Sequence, residues 1–170
     1  MSVGFGSLSF GMDFAQAIDE TIAQGRADAE ALMTDRCGVR RPRRDASGQL
    51  ITETDPVTGV VTPVFDVIYN PDAEPHRGKC KLQTYEGHET DRETGGASQT
   101  IQRSSAHVPF GAFRSAPGDV LTILEADDAL LVGRSFRITQ EYPVKSKATS
   151  YRIFVDENVG LEVPPWPTSP

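Results

Sequence analysis

Val120-Leu121-Thr122-Ile123-Leu124, Ser135-Phe136-Arg137-Ile138-Thr139 and Tyr151-Arg152-Ile153-Phe154-Val155-Asp156 are three short runs with one kind of patterning. The first is apolar almost throughout, too short for a helix and rich in strand formers. The second alternates, placing Phe136 and Ile138 on one face and Arg137 and Thr139 on the other. The third puts Tyr151, Ile153 and Val155 together in the same way. Ala116-Pro117-Gly118-Asp119 opens the first run with turn chemistry: Pro and Gly preset the backbone, and Asp can bond its own chain. Three half-buried strands in succession need a partner sheet or barrel closure to cover their apolar face. The expected fold is therefore mainly β, a small antiparallel β-barrel or sandwich with an N-terminal α-helix and extended termini.

Upstream, the residues from Thr100 to Val108 and from Gly78 to Gln83 read as further strands, the second with its lysines turned outward. Between them, residues 84–99 form a polar loop without an apolar run, a length that marks a functional or disordered segment in a compact domain. Asp55-Pro56-Val57-Thr58-Gly59 makes a tight reversal between Leu50–Thr54 and Val60–Phe65, a β-hairpin. Arg36 to Arg40 is the first strand, ended by Pro42. Before it, Asp13 is expected to cap a helix, with Gln16 in the capping-box position. Phe14, Ile18, Ile22, Ala29 and Leu32 recur at helical spacing and predict one apolar stripe, either core packing or a surface for a neighbouring subunit. Gly25 should weaken the middle of that helix, making it the point where the helix can bend or break. The chain thus divides into a flexible arm (1–12), a helix-plus-barrel domain (13–157) and a Pro-rich tail (158–170) whose large anchor is Trp166.

At 170 residues, with 38% hydrophobic and 24% charged residues, the chain has the composition of a single soluble domain. Fifteen Gly and twelve Pro favour turns and strands over helices. No run is long enough to span a membrane and no signal peptide opens the sequence, so the protein is expected to stay in the compartment where it is made. Cys37 and Cys80 share strand faces with Val39 and Leu82, which reads as two buried thiols; whether they are neighbours stays open. The net charge of −7 argues against a general nucleic-acid binder. Charge is unevenly placed: residues 1–35 hold six acidic groups and one Arg, whereas residues 36–44 hold five Arg and no acid. That asymmetry suits contact between copies or partners, and equally a solvated Arg-rich loop.

Motifs for chemistry are not found. His76, His88 and His107 have no second ligand at metal-site spacing, so neither a metal nor another cofactor is expected. Ser104, Ser105 and His107 suggest a nucleophile and base, but adjacent residues on a strand point to opposite faces and no Gly-x-Ser-x-Gly elbow is present. Gly95-Gly96 is followed by neither a helix nor Lys-Ser/Thr, as a phosphate loop would require.

The order of features resembles the head-to-tail connector proteins of long-tailed bacteriophages, the stopper or head-closure class, and in particular an uncharacterised family from phages of actinobacteria. The pieces that carry the resemblance are Leu32-Met33-Thr34-Asp35-Arg36-Cys37, the Asp55–Gly59 turn, Gly78-Lys79-Cys80-Lys81-Leu82-Gln83 and His107-Val108-Pro109. Pro117-Gly118-Asp119-Val120 and Val132-Gly133-Arg134-Ser135-Phe136-Arg137-Ile138 complete the set, over about residues 13–157. The resemblance implies a non-enzymatic virion protein of the phage neck, assembled in the host bacterial cytoplasm and away from any membrane. Its copies would form a homo-oligomeric ring, with the portal and adaptor ring above and a tail-terminator or tail-tube protein below. Packaged double-stranded DNA would pass through the channel, held by a long loop from each subunit. On this chain the loop residues would be Tyr85, Glu86, His88, Glu89, Asp91, Arg92 and Glu93. Docking to other subunits or partners would fall to Phe5, Leu8, Phe10, Arg40, Arg41, Arg43, Arg44 and Trp166. The alternatives are a neighbouring adaptor or tail-terminator ring and, from another class, a virion-associated hydrolase.

Overall fold

The computed structural model describes residues 10–84, 104–140, 145, 147–158 and 161–166. The three runs that open the sequence analysis are strands: β7 (Val120–Glu125), β8 (Ser135–Gln140) and β9 (Ser150–Glu157). They are preceded by helix α1 (Phe10–Ala31), β1 (Asp35–Pro42), β2 (Thr52–Thr54), β3 (Val61–Pro63), β4 (Phe65–Tyr69), β5 (Lys79–Thr84) and β6 (Ser104–Pro109). Hydrogen bonding runs β1-β5-β6-β9-β8-β7 and returns from β7 to β1, so six antiparallel strands close into a barrel. Closure covers the apolar face that the alternating runs left exposed, and of the sheet's strands β4, paired with β1 alone, keeps a free edge. Register shifts between Arg36 and Cys37 and between Ile138 and Gln140 add local bends of the kind that closing a small barrel requires.

The interior is filled by the residues whose alternation announced it: Leu121 and Ile123, Phe136 and Ile138, Ile153 and Val155, with Ala106 and Val108 from β6. Cys37, Val39 and Cys80 complete it, beside Tyr69, whose ring stacks on Phe113 at 5.1 Å. The cysteines are neighbours and both are free. A hydrogen bond with Cys37, together with burial, pushes the Cys80 thiol well above its usual range. Each fully buried aliphatic side chain contributes about 1.5–3 kcal/mol relative to exposure.

Four expectations are revised. The helix starts at Phe10, before Asp13, so residues 10–12 belong to it and not to an arm. It also runs unbroken through Gly25, where the missing side chain admits Thr149: a Cβ there would lie 3.1 Å from Cγ2 of Thr149. The apolar stripe is only partly used. Ile18, Ile22 and Ala29 are half-buried, while Phe14 and Leu32 remain 71% and 66% exposed. Polar and aromatic contacts hold α1 to the barrel instead. Arg26 lies 3.5 Å above the Phe110 ring and donates to the Ala148 carbonyl, and Glu30 pairs with Lys79 at 3.2 Å.

The fourth revision is β4, of which sequence reading held only Phe65, as the end of the hairpin. After Val64 the chain leaves the arm and pairs with the second half of β1, Val39 opposite Tyr69 and Pro42 opposite Phe65. The first residues of β1 use the same edge for β5, with Asp35 opposite Cys80. Gly78 makes the crossing between these partners possible. It has φ of +72°, and a Cβ would come within 2.6 Å of the Cys37 carbonyl oxygen. Hairpin β2–β3 extends beyond the barrel from this end of β1, with Asp55 Oδ1 accepting hydrogen bonds from the backbone N–H of Val57 and Thr58 across the turn.

Candidate functional site

Strand β1 is buried on both faces. Cys37 and Val39 point into the barrel, while Gly38 and Arg40 lie on the outside and are nevertheless covered. The cover is the C-terminal segment 161–166. Trp166 lies directly on Gly38, where a Cβ would come 2.3 Å from Cη2 of the indole, so only glycine admits the ring. Arg40, 4% exposed, stacks its guanidinium against Trp166 at 4.9 Å and Phe65 at 5.2 Å, and donates to the Pro164 carbonyl at 2.6 Å. Burial lowers the pKa of Arg40, yet the aromatic faces and the carbonyl accommodate its charge. Trp166, expected to dock on another subunit for want of a local partner, thus docks on its own chain. The segment 161–166 straps the barrel.

The arginines of residues 36–44 suited either partner contact or a solvated loop, with Arg40, Arg41, Arg43 and Arg44 the docking candidates, and most are used within the chain. Arg36 bridges Asp72 and Glu125. Arg41 reaches both oxygens of Asp119, at 2.7 and 2.8 Å; Asp119 is 1% exposed and also accepts from the backbone N–H of Ala116. Arg43 pairs with Asp66. Arg44 is exposed and donates to the Gly48 carbonyl. These groups join β1 to β4, to the turn before β7 and to the loop before β5. The apparent basic cluster of the sequence is thereby largely neutralised in place.

A different basic feature emerges from strand register. Lys81 stands opposite His107, and His107 opposite Arg152, so β5, β6 and β9 carry one transverse row of three basic groups. The row faces outward, because Ala106 and Val108 on β6 fill the core. Sequence reading could not find it, since spacing along the chain gives no strand order. Burial, then the charges of Arg152 and Lys81, hold the His107 imidazole below its ordinary pKa. A histidine with a depressed pKa takes up its proton more readily in the unfolded chain, so its contribution to stability is complete above the ordinary value of 6.5 and is lost as pH falls from there through the lowered folded-state pKa. His107→Gln should therefore show a smaller drop in melting temperature between pH 7.5 and 5.5 than the wild type. An equal drop in both would show that His107 is not the group responsible.

The same strand places Ser105 on the outer face with His107, two residues apart. Ser105 is fully buried, and neither its Oγ nor Nε2 of His107 has a hydrogen-bond partner. The two therefore share no hydrogen bond in this structure. Among the described residues, no group of three or more His, Cys, Asp or Glu is placed to hold a metal ion. No helix among them is long and apolar enough to cross a membrane.

Exposed aliphatic side chains gather at the two ends of the barrel. The β2–β3 arm presents Ile51, Val57, Val60 and Val61, with Val57 90% exposed. The loop between β7 and β8 presents Leu130 at 80% and Val132 at 46%. Of the other residues expected to contact partners, Phe5 and Leu8 lie outside the described residues, as does the side chain of Phe10. The loop residues Tyr85, Glu86, His88, Glu89, Asp91, Arg92 and Glu93 lie outside them too. A family model described as "Family of unknown function (DUF6093)" matches residues 25–156, from the second half of α1 to the end of β9 and short of the strap. No curated protein and no solved structure matches the chain.

Proposed function

The chain belongs to that family, whose function is unknown, and we propose that it is a structural virion protein of the phage neck. In this reading it is a head-to-tail stopper whose copies form a ring that closes the DNA-filled head and joins it to the tail. The observation that supports it is the agreement between the fold the connector resemblance implies, a small β-barrel behind an N-terminal helix, and the closed barrel found here. Agreement of fold is support by analogy; the function rests on the surfaces. The barrel supplies a rigid wall, and its exposed aliphatic groups are of the kind that bury against neighbouring subunits. The ring would sit between the portal with its adaptor and the tail terminator or tail tube. Duplex DNA would pass through the centre, gated by the acidic loop 84–99.

Symmetry provides the test. A protein on the axis of the particle must make contacts that close. Native mass spectrometry and electron microscopy of the purified chain should show closed rings of a single size, or monomers that add as one ring to a portal–adaptor complex. Open helical filaments, or monomers that ignore such a complex, would contradict the reading. Addition to a tail tube and not to the portal–adaptor complex would move the chain to the neighbouring tail-terminator level.

A further inference from the structure

Strand β1 changes partner along one edge. Its first residues pair with β5, Asp35 opposite Cys80 and Arg36 opposite Lys79, and the stretch from Val39 to Pro42 pairs with β4. The join between β1 and β5 is thus the shortest of the barrel's seams among the described residues; the join between β6 and β9, by contrast, runs from Ser104 to Pro109. Two further bonds finish it. Cys37 N–H donates to the Gly78 carbonyl, and Leu82 N–H donates to Oδ2 of Asp35, a side chain. A seam held by so few bonds is the place where local opening of the barrel costs least.

Both native thiols sit at that seam. Cys37 and Cys80 lie in the interior beside Val39 and Tyr69, fully buried and free. The register that sets Arg36 opposite Lys79 brings Gly78 across from Cys37, so Cys80 lies one pleat away on the same inner face. Gly78 has no side chain to stand between them, and a hydrogen bond joins the two thiols. Two cysteines can be bridged without moving the backbone only where their side chains converge, and thiols in hydrogen-bond contact meet that condition. The bond with Cys37, together with burial, keeps the Cys80 thiol protonated. The thiolate is the reactive form, so the pair is inert while the seam is closed.

We propose that Cys37 and Cys80 form a reversible disulfide that staples the β1–β5 seam when the chain meets a low-molecular-weight disulfide. Opening of the seam admits the reagent. One cysteine, as thiolate, attacks a sulfur of the reagent; the reagent's S–S bond breaks, and one small thiol leaves. The second cysteine then attacks the protein sulfur of the mixed disulfide, the Cys37–Cys80 bond forms, and the second small thiol leaves. In total the protein gives up two hydrogens, and the reagent is reduced to two thiols. This chemistry does not depend on the ring reading. On the neck reading it acquires a setting: a reducing cytoplasm keeps the thiols free during assembly, and an oxidising exterior favours the staple once the particle is released.

The test treats the folded full chain with cystamine, removes the reagent, and alkylates the denatured chain with N-ethylmaleimide. The intact mass should be lower by two hydrogens, with neither maleimide nor cysteamine attached, whereas the untreated chain should carry two maleimides. The melting temperature of the treated chain should rise by roughly 5–15 °C, because the bond closes residues 37–80 into a loop in the unfolded state. Dithiothreitol should reverse both changes. Cys37→Ser and Cys80→Ser chains should show no such rise; the wild-type measurement decides the matter alone where a variant does not fold. Two maleimides on the treated wild-type chain, two cysteamines held as mixed disulfides, or a disulfide-linked dimer would overturn the proposal. An internal disulfide without a gain in melting temperature would overturn the staple as well. None of these outcomes bears on whether the chain forms rings, so the neck reading stands or falls separately.

Discussion

Gly38→Val should release the C-terminal strap and cost the monomer roughly 2–3 kcal/mol, below the range of about 3–5 kcal/mol for removing a buried Trp, because Trp166 is only half-buried. A Cβ at position 38 would overlap three carbons of the indole, at 2.3–2.6 Å, and β1 cannot retreat because β7 pairs along its other edge. The ring must leave, and Arg40 loses both an aromatic face and the Pro164 carbonyl. For a chain of this length each kcal/mol corresponds to roughly 2–4 °C, so the melting temperature should fall by about 5–10 °C. Trp166 is the sole tryptophan, which makes its emission a direct report: a red shift without loss of strand signal is the expected signature. Trp166→Ala should cost about as much. In the double variant the second change should add little, because the clash it relieves is the cause of the loss. Additive losses, or unshifted emission in Gly38→Val, would show that the strap does not depend on this slot.

That strap marks the limit of what could be read from sequence. Phe136, Ile138, Ile153 and Val155 declare their faces by local alternation, and every one of them fills the barrel. The Asp55–Gly59 turn is equally local and forms as expected. Trp166, by contrast, finds its partner at Gly38, most of the chain away. The available signal was a glycine inside a strand, which marks close approach of another group without saying which. The ion pairs of the arginines escaped sequence reading for the same reason. Asp66 and Asp119 are distant in sequence, and only closure of the barrel brings them to Arg43 and Arg41. The Lys81–His107–Arg152 row needs strand order as well as strand identity. Strand β4 was hidden because Val60 to Tyr69 is nearly continuous in strand formers, and the break at Val64 comes from a change of pairing partner. The helix start was misplaced because Asp13 and Gln16 imitate a capping box inside a helix that had already begun. The loop residues from Tyr85 to Glu93 lie outside the described residues, and their gating role belongs to the proposal.

The largest effect is expected from removing the chain from the particles it is proposed to complete. A stopper acts after packaging and before tail joining. Its absence should leave heads that fill with DNA, lose it and remain tailless, with infectivity falling by several orders of magnitude and returning when the wild-type chain is supplied in trans. Replacing residues 86–96 by a short Gly/Ser turn, in the same experiment, asks whether the acidic loop is the gate. The decisive measurement is electron microscopy of particles made without the chain, counted for DNA content and tail attachment. The neck reading predicts empty or leaking heads without tails; filled, tailed and infectious particles would contradict it.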